Sequence, residues 1–401
     1  MSVRSNNNSE GLKYEWILMF YIAIKPLYIF SSGGMQISDI FLALSFGWLL
    51  LHSRHGIDIP PEGKKWFRDV LLFTIYVSVV NAFWYVWLID APYKSSTFIS
   101  SILYYIFNAL AVILTLNIVY RIGIDRVIIG VMNGTTISSL IVLLGIILNL
   151  GKGERNTSFF NNPNQLGFYA IILLTLLCFF HDFLDKKKAM VIIVSSVIAT
   201  IVSLSKASFI SMFALGFFVL ISNKSNRPKQ LFKKCGAIII LGVSLYVLLF
   251  GNISFVNDNI VLRELRDRVV HMSQENDSNL GTGRGYDRVY EMGKNLLWGM
   301  GEGGYDRFTI MRGFEIHSTY ANILVSYGLI GSFLALGVFL FPLKSNRSFF
   351  RNLCCMSGII LYGISHNGIR NTLVWIVLAC LIVQNNQNRL LSDEKLRNSP
   401  D

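Results

Sequence analysis

Gly281-Thr-Gly-Arg284, Gly299-Met-Gly-Glu-Gly-Gly-Tyr305 and His317-Ser-Thr-Tyr320-Ala-Asn322, closed by Tyr327-Gly-Leu-Ile-Gly331, form the stretch on which the reading turns. Here a polar, arginine-bearing segment runs straight into an apolar helix. Outward from it in both directions the chain is almost uniformly apolar. Its 401 residues are 53% hydrophobic and only 15% charged, whereas a soluble domain carries about 25% charge. A membrane-spanning helix needs roughly 20 mainly apolar residues, and such runs recur from end to end.

About twelve of these runs are spans on the 20-residue criterion: Tyr14–Phe30, Gln36–His52, Val70–Ile89, Thr97–Tyr120, Val127–Leu148, Asn164–Phe183, Ala189–Leu204, Ala207–Ser222, Cys235–Gly251, His317–Phe341, Phe350–Ile364 and Asn371–Val383. The bilayer offers no water to unpaired backbone groups, so the spans must be helical. The expected fold is an all-α, polytopic membrane bundle, one domain over residues 1–401, with a single long outer loop, Asn252–Ile316, that contains short helices.

The net charge of +12 raises the possibility of nucleic acid, and its distribution excludes it. Lys186-Lys187-Lys188 and the basic run from Lys224 to Lys234 sit where the positive-inside rule puts them if both termini are cytoplasmic. The surplus is therefore read as topology. The polar start Met1–Lys13 lacks a small-residue cleavage site, so an uncleaved first span is expected. The cysteines (Cys178, Cys235, Cys354, Cys355 and Cys380) lie in or beside apolar runs, without metal-ligand spacing, and read as packing residues. Ser31–Ser38 holds no carboxylate, and neither a metal nor another cofactor is expected.

Within the outer loop, Ile260–Met272 places Leu262, Leu265, Val269 and Met272 at helical spacing. That suits either a helix on the outer leaflet or one packed on the bundle end. Gln274–Gly283 reads as a connector and Gly283–Leu297 as a second helix. On such a helix Arg284 and Arg288 share a face. Their mutual repulsion would be relieved by a bound anion near the helix start, or by pairing with Asp287 and Glu291. The Gly299–Gly304 run neither follows a strand nor opens a helix, which excludes a nucleotide loop.

His317 stands where the loop enters a span, close to a helix N-terminus. The dipole and neighbouring arginines disfavour the imidazolium, with Glu315 opposing. A neutral imidazole there either caps the helix or accepts a proton as a general base. Lys206, in the turn Ser203-Leu-Ser-Lys206-Ala-Ser208, together with Arg155 and Arg370 in two further outer turns, adds cations on the same side. A guanidinium fork suits phosphate. Lys25, before Pro26 inside the first span, is either a functional group or a lysine that snorkels.

Several of these pieces resemble the O-antigen ligase and polymerase family of bacterial surface-polysaccharide assembly. They are Asn162-Pro163-Asn164 opening a span, Ser205-Lys206-Ala207-Ser208, Gly283-Arg284, the Gly299–Tyr305 run, and above all His317 to Gly331. The likeness covers Asn161 to the C-terminus; Lys206 departs from it, since the family commonly carries arginine there. The resemblance implies metal-independent transfer of a glycan from an undecaprenyl diphosphate-linked oligosaccharide to an acceptor hydroxyl, on the periplasmic face of the bacterial inner membrane. It implies His317 and Arg284 as catalytic residues, with Arg155, Lys206, Arg288 and Arg370 on the diphosphate, and Tyr320 and Asn322 on sugar hydroxyls. The partners are the lipid-linked donor, a glycan acceptor, the bilayer and, left open, a chain-length-regulating membrane protein. Asn367-Gly-Ile-Arg370-Asn371 looks more like a polymerase, whose acceptor is a second lipid-linked repeat unit, than a ligase acting on lipid A core. A lipid-linked oligosaccharide flippase is the alternative of another class, though no internal repeat is visible.

Overall fold

A computed structural model of the chain describes residues 8–30, 35–52, 57–91, 96–150, 155–222, 263, 266, 284–310, 312–344 and 349–397. Among the described residues the structure is α-helix and short 3-10 helix, with no strand. The α-helices are α1 (Asn8–Ile24), α2 (Ile37–His52), α3 (Pro61–Trp87), α4 (Ser96–Ile122), α5 (Ile124–Leu148), α6 (Pro163–Phe180), α7 (Lys186–Ser203), α8 (Lys206–Ser222), α9 (Thr319–Leu340), α10 (Phe349–Ser365) and α11 (Thr372–Arg397). Five segments among the described residues are long and apolar enough to cross a bilayer: α3, α4, α5, Pro163–Phe183 and Thr319–Leu343. Shorter apolar helices are Tyr14–Ile24, Ile37–His52, Lys206–Ile221, Phe349–Ser365 and Thr372–Asn386. The expected span Cys235–Gly251 lies outside the described residues. So do Gln274–Gly283 and, Arg263 and Arg266 apart, Ile260–Met272.

Local chemistry sets the helix starts. Pro61 and Pro163 occupy first-turn positions whose N–H would be unpaired anyway. The Asn162, Asp185 and Ser318 side chains accept from Asn164 N, Lys188 N and Ala321 N, capping α6, α7 and α9. At the first span the structure corrects the expectation. α1 stops at Ile24, so Lys25 lies just past the helix rather than inside it. Pro26 disfavours helical geometry in the residue before it and cannot donate to a continuing ladder. Lys25 forms an ion pair with Asp39 at 2.5 Å, both side chains largely withdrawn from solvent.

The first half of α11 is the centre of the bundle. Leu373 through Val383 are buried without interruption, the mark of a helix surrounded on all sides. Trp375 packs against Phe73, Tyr105 and Phe339 and donates its indole N–H to the Ile369 carbonyl (2.8 Å). That bond ties the turn before α11 to the core. Residues 25–30, 35–36, 155–164, 203–206, 284–310, 312–318 and 365–371 gather at one end of the bundle, joined by bonds such as Asn161 Nδ2 to Phe30 O (2.7 Å) and Asn156 N to Val202 O (3.0 Å).

The glycine run explains how the 284–318 segment enters this end. α9 is interrupted at Gly328, where φ is 63° and ψ −164°. The break frees the Val325 and Ser326 carbonyls, which accept from Met300 N (2.9 Å) and Gly301 N (2.8 Å). Ile330 N in turn donates to the Leu297 carbonyl (3.3 Å). A Cβ on Gly328 would collide with Leu297 O, and one on Gly299 with Ser326 O. Irregular backbone at this depth is tolerated where protein supplies its hydrogen bonds. Gly328→Ala should therefore lower stability by about 3 kcal/mol, from a side chain forced to positive φ plus the collision. Thermal unfolding in detergent reads this directly, and an unchanged midpoint would contradict the docking.

Candidate functional site

The centre of the gathered end is a carboxylate. Glu302, fully buried, receives Arg370 Nη2 (2.5 Å) and Nε (3.1 Å), Asn322 Nδ2 (2.6 Å) and the Tyr327 hydroxyl (2.5 Å). Its own backbone N–H donates to Asn81 Oδ1 (2.6 Å), and its carbonyl accepts from Ser101 Oγ (2.9 Å). A carboxylate removed from water is tolerable only when paired and hydrogen-bonded this fully. Arg370 reaches a second carboxylate through Nη1, 3.2 Å from Glu315 Oε1, and lies over the Tyr104 ring. Asn367 Nδ2 donates to Glu315 Oε1 (3.0 Å).

Two histidines border this cluster. His317 is in extended backbone two residues before α9, its side chain exposed. Neighbouring atoms crowd the ring and partly desolvate it although its surface is open, which lowers its basicity; Glu315 opposes this, and Arg284 and Arg288 reinforce it. His366 follows α10, stacked on Tyr362, which stacks on Phe168. Its carbonyl accepts from Thr319 N (3.2 Å) and Thr319 Oγ1 (3.0 Å), so the two histidine-bearing segments are bonded to each other. Burial first, then Arg284, His317 and Arg155, push His366 down to about 4. Both imidazoles are thus biased toward the neutral form near cations, a setting in which each can accept a proton or hydrogen-bond an anion.

The expected site residues divide into two groups. Arg284 and Arg155 both act electrostatically on His366 and Tyr362, so they belong with the histidines. Arg155 is oriented by bonds from Nε to Ser203 O (2.9 Å) and Nη2 to Asn164 Oδ1 (2.8 Å). Lys206, half-exposed, opens α8 in the turn on which Arg155 rests. Arg288 also acts on His317, but its guanidinium is committed elsewhere. It is fully buried, donating to the Ile310 and Phe314 carbonyls (3.0 and 3.1 Å) with its guanidinium over Phe308. The predicted α-helix over Gly283–Leu297 is instead two 3-10 helices, Tyr286–Glu291 and Gly293–Leu296. Arg284 precedes the first of these across Gly285, whose φ is 82°, so the two arginines do not lie on one helix face. Asn322 is likewise turned inward onto Glu302, while Tyr320 is exposed and donates to Ile360 O (2.7 Å). Two residues on an α-helix point to nearly opposite sides. Arg370, expected on the diphosphate, is held by two glutamates.

Glu302 and His366 are residues of this end that the sequence patterns do not single out, and Glu315 and Asn367 enter there only as neighbours of His317 and Arg370. The available signal was a lone acid inside a glycine run and a histidine beside Arg370.

Below Tyr320 lies an apolar cleft of about 580 Å³ between α9, α10 and α11. Thr319, Tyr320, Gly363 and Gly368 form its upper rim, and Leu336 and Leu340 leave one side open. Compared with known proteins, the chain matches no family model and no curated protein.

Because the folded His366 titrates below its ordinary 6.5, the unfolded chain takes up this proton first as pH falls. The corresponding stability is present above about pH 6.5 and is lost toward about 4. His366→Asn should flatten that part of the thermal-midpoint profile between pH 6.5 and 4.5. A profile as steep as that of the unaltered chain would refute the assignment. Separately, Glu302→Ala should cost about 3–5 kcal/mol by stranding Arg370, read as a lowered unfolding midpoint; loss of less than about 1 kcal/mol would contradict the pairing described.

Proposed function

We propose that this protein is a membrane glycosyltransferase that moves a glycan from a polyprenyl diphosphate carrier to a sugar hydroxyl of a second lipid-linked repeat unit. What supports the reading is an apolar, laterally open cleft whose rim residue Thr319 is hydrogen-bonded to the His366 carbonyl, which sets the cleft beside the end bearing Arg284, Arg155, His317 and His366. A prenyl diphosphate has the matching two-part chemistry, a long hydrocarbon and a compact polyanion. The volume accommodates a stretch of tail rather than an entire carrier, with the remainder in lipid. The resemblance of residues 161–401 to O-antigen polymerases and ligases supports the same reading.

In this scheme the acceptor oxygen attacks the anomeric carbon while the bond from that carbon to the diphosphate oxygen breaks. The electron pair stays with the diphosphate, whose developing charge Arg284, Arg155 and Lys206 stabilise by position. His317, biased toward its neutral form, takes the acceptor proton. His366, more withdrawn, offers a hydrogen bond to the anion. Asn322 and Arg288 act only through the backbone and side chains they hold. On this reading the site faces the periplasm, and the lysine-rich starts of α7 and of neighbouring turns face the cytoplasm.

A second reading, movement of a lipid-linked glycan across the bilayer, draws on the interruption of α9 at Gly328, since discontinuous helices are common in transporters. Against it, the carbonyls exposed by that break are already bonded to Met300 and Gly301.

Purified protein incubated with lipid-linked repeat units alone should give a glycan ladder, and His317→Ala should lower its rate about a hundredfold or more. Product that forms only when lipid A core is added would move the assignment to a ligase. Counterflow of labelled lipid across vesicles without elongation would move it to a transporter. Near-normal turnover by a folded His317→Ala protein would remove His317 from the chemistry.

A further inference from the structure

Glu315 sits where an anion would be expected. Its carboxylate is bonded by two outward donors, Arg370 Nη1 (3.2 Å) and Asn367 Nδ2 (3.0 Å). Yet its side chain remains 36% exposed, against 0% for Glu302 on the other edge of the same guanidinium. The two carboxylates therefore differ in kind. Glu302 is locked by four side-chain donors and the surrounding core. Glu315 is attached by two donors at the rim, two residues from His317, and can leave into solvent. While it is in place, the Glu302–Arg370–Glu315 trio carries net negative charge, so the Arg370 guanidinium is closed to anions.

We infer that Glu315 is a specificity-determining stand-in for one phosphoryl group, displaced only by a ligand that brings a second phosphoryl alongside the first. This rests on the proposed diphosphate cleft and deepens it. A single phosphate held among Arg284, Arg155 and the histidines satisfies that end and leaves Glu315 on Arg370. A diphosphate held at the same place extends a second anionic group over the rim. That group replaces the carboxylate on Arg370 Nη1 and Asn367 Nδ2, the same pair of donors, in bidentate geometry a lone carboxylate matches less well. The cleft then distinguishes a prenyl diphosphate from the prenyl monophosphate left after the carrier loses a phosphate. It does so by a cost, the detachment of Glu315, which only the diphosphate offsets.

The opposite expectation from an ordinary structural role makes this testable. If Glu315 merely braces Arg370, removing it should weaken anion binding. If it is a stand-in, removal should strengthen binding and erase discrimination. Calorimetric titration of the full-length protein in detergent with inorganic pyrophosphate and inorganic phosphate should show tighter binding of pyrophosphate to the unaltered chain. Glu315→Gln should tighten phosphate binding about tenfold, through loss of a neighbouring like charge, and pyrophosphate binding by less, so that the ratio narrows. Glu315→Ala serves as a second variant if the amide folds poorly. Adding Arg370→Gln to either should abolish the gain. Affinities or ratios unchanged or reduced in folded variants would overturn the inference and leave the diphosphate cleft standing, as would a gain that survives Arg370→Gln. Failure of the unaltered chain to bind pyrophosphate would overturn both.

Discussion

The buried carboxylate of Glu302 is the constraint from which the rest of this end of the molecule follows. An ion of that kind, removed from water, must be surrounded by donors or it unfolds its surroundings. Here the donors come from widely separated parts of the chain, Asn322 and Tyr327 from α9 and Arg370 from the turn before α11, while Asn81 of α3 accepts the Glu302 backbone N–H. Satisfying one side chain therefore fixes three helices and the segment that enters between them. Gly301 and Gly303, on either side of Glu302, let its backbone approach Phe98, and Gly299 lets the same run approach Ser326. The interruption at Gly328 supplies the carbonyls that receive the segment. Burial and hydrogen bonding are inseparable at this point.

What this arrangement does for chemistry is to separate holding from acting. Glu302, Asn322, Tyr327 and Arg288 are consumed by structure. The Thr319 bonds to the His366 carbonyl bring the start of α9 beside the end of α10, and with them the segments that carry His317 and His366. Arg284 from the entering segment and Arg155 from the α5–α6 loop act on His366 at this end. Directly beneath it, the α9–α10–α11 cleft is apolar down to Leu343 and Leu353. A ligand with one charged and one hydrocarbon end meets complementary surroundings at both, which is how concave sites acquire orientation as well as affinity.

The sequence made some of this legible and hid the rest for physical reasons. Apolar runs announce bilayer-length helices because composition alone decides them. Asn162-Pro163-Asn164 and His317-Ser318 mark helix starts because capping is local. Arg155, Arg284, Lys206 and His317 were recognisable as charged groups at apolar boundaries. Arg288 does not share a helix face with Arg284 as the spacing suggested, because left-handed Gly285 separates Arg284 from the 3-10 helix that carries Arg288. Asn322 was misread because, two residues from Tyr320, it points the other way. Glu302 was invisible because its partner Arg370 is 68 positions away and Asn81 is 221 away. No window of sequence contains such a pair. His366 had no periodic pattern around it, and its importance arises only when Thr319 closes on its carbonyl.

The central claim is that one cleft receives a polyanionic head and a prenyl tail together. The most direct measurement is a cryo-electron microscopy map of the protein in a lipid nanodisc with a short-chain prenyl diphosphate. The account predicts head-group density within hydrogen-bond reach of Arg284 and His317, with the tail descending along Leu336 between α9 and α10. Density for the ligand elsewhere on the bundle, or an apolar cleft filled while Arg284 and His317 stay uncontacted, would contradict it.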